Sequence, residues 1–110
     1  MKTAELTGAL LDYWAAKATR GDTETLRDFE FWKQEVWECG QDRFSADWAQ
    51  GGPIIDKLDI QIGGYGASRQ AEIRDDSQLW INQWGETTLI AAMRAAVAYK
   101  FGDEVPEANQ

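Results

Sequence analysis

The sequence predicts an α+β domain, an antiparallel sheet with helices packed on it, in the order helix, strand or strands, kinked helix, three strands, helix. Three observations carry this. Residues 6–18 and 89–101 repeat apolar side chains at helical spacing. Leu58, Ile60 and Ile62 alternate with Asp59 and Gln61, and a similar alternation runs from Leu79 to Trp84. The turn formers Gly63-Gly64-Tyr65-Gly66 and Asp75-Asp76-Ser77 divide residues 58–84 into three short segments, a meander. Helices with one apolar stripe and strands with one wet face are buried most economically against each other.

The first helix carries Leu6, Leu10, Tyr13, Trp14 and Lys17 along one side, with alanines between. Thr7 is placed to cap it, and Leu6 to pack on Leu11 as a hydrophobic staple. Gly21 ends it. Residues 23–39 fit two patterns. Leu26, Phe29, Lys33 and Val36 have helical spacing, whereas Phe29, Phe31, Trp32, Val36 and Trp37 are the bulky types that favour strands, and strand is the expectation. Asp47 with Gln50 three residues on opens a second helix. Gly51-Gly52-Pro53 then forces a kink or a restart, because proline brings no donor. Ala71 to Arg74 and Leu79 to Trp84 supply the second and third strands, and Trp80, Asn82 and Trp84 share a face. Thr87 or Thr88 caps the last helix, and Gly102 follows it. Residues 1–102 form one domain, and 103–110 an acidic, frayed tail.

The 110-residue chain carries a net charge of −8 and no histidine. Lysines and arginines are scattered, so direct nucleic-acid binding is not expected. Without histidine, the commonest general base and metal ligand is missing, and neither a Cys–His pair nor a Ser–His–Asp triad can form. Asp75-Asp76 reads as a solvated turn, and the glycine-rich run at 63–66 lacks the Lys-Ser/Thr of a phosphate loop. A non-enzyme without cofactor or metal is expected. Cys39 is the single cysteine, which suits a reducing compartment. No signal peptide or membrane span is visible, so the expected location is cytoplasmic, with no membrane partner.

Two candidate surfaces stand out. In residues 45–55, two glycines and a proline interrupt a helix start beside Trp48. Such local inconsistency marks either tight packing or a functional site. The functional reading gives a ligand site in which Asp47, Trp48, Gln50, Gly51 and Gly52 form a pocket with open main-chain donors, and Arg43 or Arg94 adds positive charge. A nucleotide-like small molecule is the ligand class. The second surface is the acidic stretch Asp22, Glu24, Asp28, Glu30, Glu35, Glu38 and Asp42, suited to a basic face of a host protein. Exposed tryptophans, among the six, would also suit a homo-oligomer interface.

The same segments carry a resemblance. Asp47-Trp48-Ala49-Gln50-Gly51-Gly52-Pro53-Ile54-Ile55, with Thr88-Leu89-Ile90-Ala91-Ala92-Met93-Arg94, Lys100-Phe101-Gly102-Asp103-Glu104-Val105-Pro106 and the opening Glu5-Leu6-Thr7-Gly8-Ala9-Leu10-Leu11-Asp12-Tyr13-Trp14, resembles the NinX family of temperate bacteriophages. Residues 20–42 and 63–86 lie outside the resemblance, and Ala46 stands where the family tends to have threonine. The resemblance implies a small phage accessory protein acting inside the bacterial host, and it brings no catalytic residues. Proteins of that class often counteract host defences.

Overall fold

The computed structural model describes residues 1–21, 23, 26–66 and 68–106. Helix α1 spans Gly8–Arg20, α2 Phe29–Trp32, α3 Trp48–Leu58 and α4 Thr88–Phe101. Strands β1 (Gln61–Tyr65), β2 (Ser68–Arg74) and β3 (Trp80–Gly85) form an antiparallel meander in the order β1-β2-β3. The α+β class and the three-stranded antiparallel sheet are those the sequence predicts.

Helix α4 is the centre of the molecule. Its alanines decide this: Ala91, Ala92, Ala95, Ala96 and Ala98 are buried together with Leu89, Met93 and Val97. A helix buried nearly all round must be covered on more than one side. The sheet lies on one side, and α1 and α3 pack on others. Close approach is possible at Gly85, where a Cβ would stand 2.7 Å from Cγ2 of Ile90 and 2.8 Å from the Ala91 nitrogen. The inner sheet face contributes Ala71 and Ile73 to the core, and the outer face leaves Trp80 and Trp84 in solvent.

The segment expected as strand between residues 23 and 39 is helical over residues 29–37. Asp28 caps α2 by accepting from the Glu30 amide at 3.0 Å, and the chain continues through a π-helical turn, Lys33–Trp37. Phe29 and Trp32, three apart, are buried on this helix while Phe31 is 49% exposed. Both buried rings lie edge-on to Tyr13 of α1, with centroids 5.3 and 5.4 Å away. The aromatic residues thus serve a helix–helix contact rather than a sheet.

Of the kink or restart expected at Gly51-Gly52-Pro53, the restart does not occur, and helix α3 runs as one element through Pro53. Asp59, left-handed at φ 55°, ends it, so β1 begins at Gln61 and includes Gly63-Gly64. The start of the acidic tail is also part of the fold. Val105 is 3% exposed and exchanges two 2.9 Å hydrogen bonds with Met1. Lys2 pairs with Glu104, and the Thr3 amide donates to the Asp103 carbonyl at 2.8 Å. Among the described residues no helix is long and apolar enough to cross a membrane.

Candidate functional site

The residues drawn from the 43–52 segment are mostly tied into the fold. Asp47 caps α3, accepting from the Ala49 amide at 2.9 Å and from Nε2 of Gln50 at 3.0 Å. These donors hold its carboxyl below the usual carboxylate range. Gln50 in turn donates to the Gly40 carbonyl and accepts from the Arg43 amide. Arg43 gives its Nε to the Trp37 carbonyl at 2.8 Å and lays its guanidinium 4.1 Å from the Trp37 ring centre. These side chains build a loop.

Asp12 of α1 anchors the same loop from below. It is 1% exposed and accepts from Trp37 Nε1 at 2.9 Å and from the Ser45 amide at 2.8 Å. Burial pushes its carboxyl above the usual range, opposed by those two donors and by Arg43.

Gly51 and Gly52 do not hold main-chain donors open. The Gly51 amide bonds the Asp47 carbonyl at 2.8 Å, and Gly51 is buried. A Cβ there would lie 2.2 Å from the Phe44 carbonyl oxygen and 2.8 Å from Cδ2 of Leu89. Glycine is required because α3 crosses the 44 loop and α4 at contact distance.

Of the acidic stretch, Asp42 is withdrawn from the surface. Asp28 is a helix cap, and Asp42 is buried, paired with Arg20 and accepting from Trp32 Nε1 at 3.0 Å. Glu30, Glu35 and Glu38 are exposed, and Asp22 and Glu24 lie outside the described residues.

Two clefts flank the β3–α4 connection at Glu86. One, of about 520 Å³, is lined by Trp48, Gly66, Arg69, Thr87, Thr88 and neighbouring residues. Trp48 is 55% exposed at its wall. Thr87 caps α4, its hydroxyl accepting from the Ile90 amide at 3.1 Å and its carbonyl from the Ala91 amide. The Thr88 and Leu89 amides, at the first two helical positions, have no acceptor within the helix. Arg69 adds a guanidinium, which reaches the Gly64 carbonyl at 3.5 Å. A tryptophan face, a cation and a helix N-terminus from three separate elements meet here. Such a set suits an anion carrying a planar ring.

The other cleft, of about 470 Å³, is lined by Thr7, Gln83, Gly85, Glu86, Ile90 and Arg94 among others. Arg94 donates from Nε to the Leu6 carbonyl at 2.9 Å and from a terminal nitrogen to the Trp84 carbonyl at 2.6 Å. Partial burial lowers its pKa, and the nearby Glu86 charge opposes that. Of the residues singled out from sequence, Trp48 and Arg94 therefore reach clefts, one on each side. Asp47, Gln50 and Arg43 do not line them. Arg69 and Thr88 were not foreseen, since the only local signal was the strand-to-helix junction at residues 84–88. Among the described residues no group of three or more acidic or cysteine side chains could hold a metal ion.

Nothing among curated proteins matches this chain. The family model described as Bacteriophage P22, NinX, matches residues 2–100, almost the whole chain. That span takes in both clefts and every element from the amino terminus to α4. The chain belongs to the NinX family of bacteriophage proteins.

Proposed function

We propose that this NinX-family chain is a non-catalytic phage accessory protein that binds a small, anionic, ring-bearing molecule of nucleotide type. It would act in the host cytoplasm, withholding that molecule from a host defence. The cleft at the start of α4 is the site. What carries the reading is the meeting of exposed Trp48 with Arg69 and the α4 N-terminus, where Arg69 balances the single carboxylate of Glu86 on a chain of net charge −8. The phosphate or carboxylate faces the Thr88 and Leu89 amides, where the helix dipole favours negative charge. The ring lies on Trp48. The lining supports binding rather than catalysis, with Glu86 as its one carboxylate and no histidine or cysteine.

Calorimetric titration with nucleoside mono-, di- and triphosphates and cyclic dinucleotides tests this. At least one should bind, and the matching phosphate-free nucleoside should bind more weakly. Stacking on an aromatic ring is worth about 1–3 kcal/mol per base, so Trp48→Ala should weaken binding by roughly 5- to 150-fold. Arg69→Gln should weaken it in a salt-dependent way. No heat from any member of the panel, with the protein folded, rejects the proposal.

A further inference from the structure

Strand β3 is an edge of the sheet, and it lacks the devices that usually keep an edge unpaired. Trp80–Gly85 holds no charge and no proline in a chain that is 27% charged, whereas the central strand β2 carries Arg69, Glu72 and Arg74. The usual protective arrangement is the reverse.

The free hydrogen-bonding groups of this edge can be assigned. The Leu79 carbonyl accepts from the Asp75 amide at 2.9 Å, across the β2–β3 turn, so Leu79 addresses β2. The Trp84 carbonyl instead accepts from Arg94. Along an antiparallel strand these directions alternate residue by residue. The main-chain groups of Trp80, Asn82 and Trp84 therefore point away from β2, at the open edge.

We infer that β3 pairs antiparallel with β3 of a second copy of this chain, about a two-fold axis through Asn82. The strand pattern commits the edge to its own copy, because Trp80-Ile81-Asn82-Gln83-Trp84 is symmetric about Asn82 in its placement of tryptophan. In that register Trp80 faces the other copy's Trp84 twice over, and Asn82 faces Asn82. Trp80 and Trp84, 44% and 54% exposed on the outer sheet face, become two cross-strand aromatic pairs. With no charge on either strand, the register sets no like charges opposite each other at the seam.

The second cleft fits the same register. Leu79, at 66% exposed, lies on the inner side of the sheet one residue before Trp80 and is placed opposite Gly85 of the other copy. Ile90 and Ala91 fill the space a Gly85 side chain would take, and the cleft beside it is lined by Gln83, Ile90 and Arg94. Each copy's Leu79 enters the other's cleft, an isologous exchange. The Trp84 carbonyl keeps Arg94 on one lone pair and accepts the incoming Trp80 amide on the other. Two three-stranded sheets become one of six strands.

Sedimentation and light scattering over low to high micromolar concentration test the pairing. The mass should rise from the 12.4 kDa of one chain to twice that. Amide hydrogen exchange at Trp80, Asn82 and Trp84 should slow as the dimer forms. Asn82→Pro removes an edge-facing amide that the single chain does not use, and Leu79→Lys alters a side chain that the single chain exposes. Both should remain folded by circular dichroism and raise the dimer dissociation constant by about tenfold or more. A single-chain mass throughout overturns the inference, as does a dimer that survives both substitutions or leaves those three amides in fast exchange. Nucleotide binding at Trp48 is measured separately, so either proposal can fail alone.

Discussion

Gly51 and Gly52 are adjacent in one helix, and the structure predicts opposite responses to the same substitution. In a helix interior Ala is favoured over Gly by about 1 kcal/mol. At Gly52 the nearest atom to an added Cβ is a Trp48 ring carbon at 3.8 Å, an ordinary contact, so Gly52→Ala should stabilise the protein by up to about 1 kcal/mol. At Gly51 the Cβ would come within 2.2 Å of the Phe44 carbonyl oxygen, more than an ångström inside contact distance. That neighbour is backbone and cannot swing aside. A contact this short belongs at the upper end of the cost of overpacking, about 2–3 kcal/mol. Set against the propensity gain, Gly51→Ala should lose roughly 1–2 kcal/mol, and the two variants should differ by about 2–3 kcal/mol. At roughly 4 °C per kcal/mol for a domain of this size, the melting temperatures should separate by about 10 °C. Urea denaturation with a common slope would give the free energies directly. A neutral or stabilising Gly51→Ala would refute the packing of α3 against the 44 loop and Leu89. A destabilising Gly52→Ala would show that this glycine is needed for something other than helix packing.

The remaining predictions concern single polar side chains. Asp12→Ala leaves the Trp37 indole and the Ser45 amide without their acceptor and should cost about 2–4 kcal/mol at neutral pH. Because burial raises the Asp12 pKa in the native state, the native protein binds that proton more readily than the unfolded chain. The proton-linked part of the Asp12 contribution, separate from its role as acceptor, should therefore grow as pH falls from the raised native pKa to the ordinary carboxylate value, and be lost as pH rises through that window. A carboxyl NMR titration showing a midpoint at or below the ordinary value would contradict this. Asp47, with its pKa lowered by Gln50 and the Ala49 amide, should act in the opposite sense, losing its contribution on acidification through its lowered native pKa. Comparing pH profiles of wild type and Asp47→Asn checks that sign. Thr87→Ala removes the hydroxyl that accepts from the Ile90 amide and should cost about 1 kcal/mol in thermal or urea unfolding.

How far the fold was legible depended on how local its determinants are. The caps at Thr87 and Asp47, the glycine after α4 and the alternation of β3 are local, and each is where the sequence indicates. Residues 29–37 were misread because Phe29, Phe31 and Trp32 satisfy strand propensity. Only contact with Tyr13, far back in the chain, decides which of the three are buried. Asp28 was the available local clue, as a helix cap. Gly51-Gly52 failed for a related reason. Glycine pairs that open a backbone and glycine pairs that admit a neighbour look identical until Phe44 and Leu89 are in place. The site was half visible. Trp48, singled out in the sequence, does line a cleft, but Arg69 and Thr88 beside it come from a hairpin and a helix that only tertiary packing brings to it.

The segments that carry the resemblance in the sequence are mainly those that build the scaffold. Asp12 holds the 37–45 loop, Gly51 lets α3 cross α4, and Ala91, Ala92 and Met93 fill the core. Arg94 ties Leu6 to β3, and Val105 locks the two ends together. Residues 63–86, inside the span that the family model matches, supply Arg69 to one cleft and Leu79, Trp80 and Trp84 to the exposed edge. The proposed ligand site and the proposed pairing surface therefore rest on side chains that the core does not use. Substitutions at Arg69 or Leu79 should change what the protein binds without changing how it folds, and those at Asp12 or Gly51 should do the reverse.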